Sequence, residues 1–196
     1  MGGSGAKSGF ENISSEEKRR IAKVENALKS AESLIVDADH EIMVSIDNNG
    51  NTVVARDGKR STVKFTVEEK QKWFTGNHGT HNHPDGGTLS PGDVACFLSF
   101  KMASISAVYK GEKWKLEPKK GVHADIEKRW EFKDNYKDAV NRIISRAQRL
   151  WGREHDEDEM SMPFIRKEIY APCHNWIKNN AKEYGYDYHH FRGIKY

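Results

Sequence analysis

One stretch constrains this chain more than any other. Residues 78–93 read HGTHNHPDGGTLSPGD. Asp85-Gly86-Gly87 is a loop signal, and Ser90-Pro91 opens a helix, because serine caps free amides and proline suits the first helical position. Suppose residues 78–83 are extended; alternate side chains then share a face. His81 and His83 therefore point one way, and His78 points the other. Asp93 falls in the first turn of the following helix, from where a carboxylate reaches back across the loop. Two imidazoles and a carboxylate make three protein ligands, which is the composition of an open catalytic zinc site. Each half also has a plain explanation. Ser90-x-x-Asp93 is an ordinary capping box, and histidines two apart occur on exposed strands. Their coincidence within residues 81–93, with a proline and two glycines between, favours a site.

Local signals order the rest of the chain. Ser14 and Glu17 form a capping box, and Ile21, Val24, Leu28, Ala31, Leu34 and Ile35 recur at helical spacing, so a helix is expected over 14–37. Strands are expected at 41–47 and 52–56, joined by Asn48-Asn49-Gly50-Asn51, which tolerates positive φ. A third strand is expected at 61–65, after the Asp57-Gly58 turn. Thr66 and Glu69 open a helix to residue 74, and Ser90 one to about residue 100. Residues 104–109 and 113–116 read as a hairpin. The lysine-rich run 113–120 fits a solvated edge strand, where lysine blocks further pairing. A long amphipathic helix is expected over 124–151, a solvated bend at 155–159, and a last helical region over 163–184, kinked at Pro172. Trp130, Trp151 and Trp176 are expected between helices. The aromatic tail from residue 184 is expected to pack back on the domain. Residues 1–10 have linker or tag composition.

Composition narrows the class. Of 196 residues, 36% are apolar and 31% charged, with a net charge of +3. That balance argues against nucleic acid as the main partner. No run approaches the ~18 apolar residues that span a bilayer, so no membrane contact is expected. The two cysteines, Cys96 and Cys173, are far apart, which fits a reducing cytoplasm better than a disulfide scaffold. Other metal readings are weaker. Contiguous His81-Asn82-His83 lacks the dispersed spacing of an HNH nuclease. His40-Glu41 fails as HExxH because position 44 is Val. Cys173-His174 with His189 or His190 lacks a second ligand pair at zinc-finger spacing.

HxHP followed by SxxD resembles the signature of the JAB/MPN (JAMM) metalloprotease superfamily. The context, with HNHP and a Gly-rich loop, is most similar to its RadC-like and phage-associated members. The resemblance covers residues 38–118. It implies a JAB/MPN-like, cytidine-deaminase-like α/β fold: a mixed β-sheet flanked by helices over 11–120, followed by a helical extension over 121–196. It implies that His81, His83 and Asp93 bind Zn2+. It further implies that Ser90 supports the oxyanion and that an upstream glutamate is the general acid/base. Glu41 is the best match for that glutamate, with Glu32, Glu68 and Glu69 as rivals. The implied activity is hydrolysis of a peptide or isopeptide bond. The implied partner is a protein or peptide, such as a phage structural protein or a ubiquitin-like conjugate, met in the cytoplasm or on a virion. Two alternatives stay open: a non-catalytic, metal-stabilised phage assembly module, and a RadC-like nucleic-acid-associated protein.

Overall fold

The first helix sets one outer layer. Ser14 caps α1 (Ser15–Ile35) by accepting from the Glu17 amide. Its buried stripe of Val24, Leu28 and Ile35 packs on Val44, Ile46 and Val108 of a six-stranded sheet. The computed structural model describes residues 14–153, residue 155 and residues 159–196. The tag expected at 1–10 and most of the bend at 155–159 lie outside them. No helix among the described residues is long and apolar enough to cross a membrane.

The strands are β1 (Ile42–Ile46), β2 (Thr52–Asp57), β3 (His78–Asn82), β4 (Ser104–Tyr109), β5 (Glu112–Pro118) and β6 (Tyr186–Arg192). Their order is β2-β1-β3-β4-β5-β6, with β3 and β4 parallel and every other pair antiparallel. The remaining helices before the C-terminal bundle are α2 (Val67–Phe74) and α3 (Pro91–Ser99). The single parallel pair requires a crossover, and α3 provides it. The sheet face away from α1 is covered by α2, α3 and the bundle, around Phe74, Phe97, Ile105 and Leu116. Gly79 lies on this face, where a Cβ would come within 2.5 Å of Met102 and 2.7 Å of Met43. The absence of a Cβ lets the two methionine methyls close over the strand, and a side chain there would displace them.

The C-terminal bundle consists of α4 (Ile126–Trp151), α5 (Met162–Ile165), a π turn (Arg166–Tyr170), α6 (Ala171–Asn180) and a 3-10 turn (Ala181–Tyr184). It shares the main core rather than standing apart. Phe132, Tyr136, Val140, Cys173 and Ile177 join the same apolar cluster as Phe97 and Leu116. The π register precedes Pro172, whose missing amide removes one helical hydrogen bond.

Three local expectations differ from the structure. Residues 61–65 form no strand; the turn closes on a single Lys59–Thr62 bridge. Phe65 instead receives the Arg56 guanidinium, whose carbon is 4.3 Å from the ring centroid, and the backbone finds no partner strand. The run at 113–120 is not an edge. The aromatic tail returns as β6 and pairs with β5 from Glu112 to Pro118, while Lys113 turns inward to Glu32 at 2.6 Å. Trp176 stacks on Phe132 and Trp151 meets Phe164 edge-on. Trp130, by contrast, is 49% exposed and carries the Lys133 ammonium 3.5 Å from its ring.

Candidate metal centre

Strand register brings three of the ligand-type groups together. Met43 lies opposite His81 in the antiparallel β1–β3 pair. Counting two residues outward from that pair puts Glu41, just before β1, across from His83. Facing residues in a ladder share a side. Glu41, His81 and His83 therefore all meet the bundle side of the sheet. The loop after β3 then returns as α3, whose N-terminus delivers Asp93. Residues converging beyond the carboxyl end of a strand at a crossover form the usual crevice of an α/β sheet.

The resulting distances are short. His81 Nε2 and His83 Nε2 are 2.9 Å apart. Asp93 Oδ1 is 3.3 Å from His81 Nε2, and Asp93 Oδ2 is 3.5 Å from His83 Nε2. One ligand atom from each of Glu41, His81, His83 and Asp93 lies within 4.8 Å of all the others, close enough to chelate a metal. Among the described residues this is the one such group. Two facing imidazole nitrogens compete for a single proton, whereas a cation between them satisfies both lone pairs. His83 Nδ1 faces the Gly87 carbonyl at 3.3 Å. Donation there holds the proton on Nδ1 and leaves Nε2 as a lone-pair donor, the usual arrangement of a ligating histidine. His81 is fully buried, and its Nδ1 has no hydrogen-bond partner among the described residues.

Electrostatics mark the cluster. Burial works against charge on His81, but the Asp93 carboxylate and Glu41 outweigh it and raise its pKa. Burial likewise opposes ionisation of Asp93, yet His81 and His83 hold its carboxyl well below the usual range. Glu41 is pushed upward, first by burial and then by Asp93, against the pull of the two histidines. A buried carboxylate with a raised pKa beside two histidines has the character of a proton acceptor.

Ser90 serves Asp93 twice. Its Oγ accepts from the Asp93 amide at 3.2 Å, and its own amide donates to Asp93 Oδ2 at 2.7 Å. The capping box thus fixes the carboxylate, with Oδ1 directed to His81. The serine is exposed on the wall of a cleft of about 460 Å³ that also contains Glu41, His81, His83 and Asp93.

The rival glutamates are elsewhere. Glu32 is buried on the α1 face, bonded to Thr80, Ser106 and Lys113. Glu69 is paired with Arg56 at 2.6 Å, and Glu68 is exposed. His78 bonds Ser104 at 2.9 Å, away from the cluster. His174 bonds Tyr188 and lies edge-on to His190; Cys173 is buried in the core.

Two supporting features escaped the sequence. The first is Asn82, between the two histidines and on the opposite face. Its Oδ1 accepts from the Ile42 amide at 2.7 Å, and its Nδ2 donates to the Ala38 and His40 carbonyls. Those bonds pin the chain on both sides of Glu41. The alternation that grouped the histidines also implied an inward Asn, but not what it bonds. Asn82→Ala leaves several buried backbone groups without that partner, each worth about 1–3 kcal/mol. We expect urea unfolding to show a loss of about 3 kcal/mol; an unchanged midpoint would remove Asn82 as the anchor.

The second is a set of tyrosines from the C-terminal bundle. Gly87 has φ +107°, and a Cβ there would sit 3.1 Å from the Tyr170 ring. Thr88 Oγ1 and the Tyr188 hydroxyl are 2.6 Å apart. The Tyr136 hydroxyl donates to the Leu89 carbonyl at 2.6 Å. Three consecutive residues between His83 and Ser90 are thus held by residues far downstream. Tyr136→Phe strands the buried Leu89 carbonyl. By analogy with outer-shell changes at metal sites, metal affinity should fall at least about 10-fold, as read by chelator competition, with the fold retained by circular dichroism.

No family model, curated protein or solved structure matches this chain.

Proposed function

We propose that this chain is a zinc-dependent hydrolase of peptide or isopeptide bonds, with the JAB/MPN-like arrangement its motif resembles. One observation carries this reading: a histidine pair, an aspartate and a pinned glutamate converge within 4.8 Å at the wall of a cleft. Zinc fits the donor set. Bonds of about 2.0–2.1 Å to a tetrahedral ion put donor atoms about 3.3 Å apart, and the observed histidine and aspartate separations run from 2.9 to 3.5 Å.

His81, His83 and Asp93 would hold the ion, which when bound acidifies water and polarises a carbonyl. Glu41 accepts the proton of the attacking water on its carboxylate and returns it to the leaving amine. Ser90 keeps a hydroxyl proton free while its oxygen caps α3, and it donates that proton to the developing oxyanion. The substrate class is a protein or peptide, with phage structural proteins and ubiquitin-like conjugates both compatible.

A second reading rests on Glu41 itself. It lies close enough to complete a four-ligand set, and a closed set of four is the mark of a structural ion. On that reading the chain is a metal-stabilised assembly module. Metal analysis of the intact protein and of His81→Ala tests the shared premise. Near-stoichiometric zinc in the first and almost none in the second is expected. Equal metal in both would remove the centre.

A further inference from the structure

The cleft is much larger than the ion site at its polar end. Its other walls come from the bundle and from the 59–65 turn. They include Val140 and Ile144 on α4, Ile169 and Tyr170 on the π turn, and Val63 and Phe65 opposite. Apart from the metal-centre groups, its charged residues are Arg60, Asp85 and Lys70, and the first two are paired with each other at 2.8 Å. The π turn matters to this shape. One extra residue per turn shifts the helical faces, and both Ile169 and Tyr170 line the cleft from this segment. A cavity of about 460 Å³ is within the range of specific ligand pockets.

Resting on the metal centre proposed above, we infer that this cleft selects substrates with a bulky apolar side chain beside the hydrolysed amide. The occupant is set by continuity. A peptide whose scissile carbonyl lies at the His81–His83–Asp93 cluster must run one flanking residue along the walls that begin there. Those walls offer aliphatic and aromatic carbon, and partly exposed Ile144 and Ile169 gain from being covered. Glycine at that position leaves them in water. A leucine or phenylalanine fills them, and one such contact discriminates about 10- to 100-fold. The downstream bundle therefore contributes specificity as well as support for the loop.

The test uses the zinc-loaded full chain and two probes, acetohydroxamate and 4-phenylbutanohydroxamate, titrated by calorimetry. Both carry the same chelating group, and only the second has an apolar arm. The phenyl probe should bind at least about 10-fold more tightly. That preference should shrink in Ile144→Trp, which fills the cleft, and in Ile144→Ser, which removes its wall without adding bulk. A mixed peptide pool, read by mass spectrometry, should be cleaved beside large apolar residues. Equal affinities, or a preference unchanged in both variants, would overturn the inference even if peptides are cleaved. A preference that depends on Ile144 without any peptide cleavage would support the pocket and overturn the hydrolase reading. A chain that takes up no zinc would overturn both.

Discussion

Glu41→Gln is expected to leave zinc content unchanged and to lower peptide hydrolysis by about 10²- to 10⁴-fold, the usual contribution of a positioned general base. Glutamine matches glutamate in size and keeps an oxygen for neighbouring donors. It cannot accept the proton that water must lose. Steric change is therefore small and the chemical loss is specific. The backbone around position 41 is fixed independently of its side chain. The Glu41 amide donates to the Lys59 carbonyl, the Gly58 amide donates to the Glu41 carbonyl, and Asn82 holds residues on either side. Burial raises the pKa of Glu41, so removing the charge relieves a desolvation cost, and the variant should melt no lower than the parent. The same substitution separates the two readings of the centre. If Glu41 is a fourth ligand of a structural ion, the variant loses metal and stability together. Metal stoichiometry by mass spectrometry, melting temperature and turnover on one preparation decide between them.

How far this site was legible follows from the range of the forces that build it. The caps at Ser14, Thr66 and Ser90 are contacts over three residues, and they read directly from the sequence. The grouping of His81 with His83 needs only the two-residue period of a strand. Bringing Glu41 to them needs the β1–β3 register, which residue spacing alone does not fix; the motif resemblance suggested it, and the ladder supplies the geometry. Asn82 was hidden for a related reason, since its partners lie some 40 positions upstream. The strand expected at 61–65 failed because β-forming side chains do not guarantee a neighbour. Arg56 and the cleft claim that segment instead. The tail was harder still. Its aromatic residues suit a strand, but β6 forms because β5 presents an unpaired edge. The grip of Tyr136, Tyr170 and Tyr188 on residues 87–89 joins segments between 47 and 100 positions apart, and no local signal carries it.

The largest loss of metal without loss of fold is expected from Asp93→Asn. This residue has two jobs that the substitution can separate. As the third residue of α3 it completes a capping box, with Oδ2 accepting from the Ser90 amide. Asparagine retains a carbonyl oxygen for that bond, so α3 should still start at Pro91. As the proposed anionic ligand it would balance two imidazoles and a divalent ion, and asparagine has no charge for this. Zinc bound by small protein sites is worth about 10–16 kcal/mol in total, and one ligand of three or four therefore accounts for about 3–4 kcal/mol. That converts to at least a 100-fold weaker affinity, readable by competition with a chromogenic chelator. Without metal, Asp93 raises the pKa of the buried His81 imidazole, against the effect of burial. In Asp93→Asn, of the two carboxylates only Glu41 remains to oppose burial, which favours a neutral imidazole over an uncompensated buried charge that would cost about 3–5 kcal/mol. The apo variant should thus melt close to the parent, while added zinc should raise the parent's melting temperature and barely move the variant's. A variant that takes up zinc with parental affinity would place the ion elsewhere and detach Asp93 from the centre.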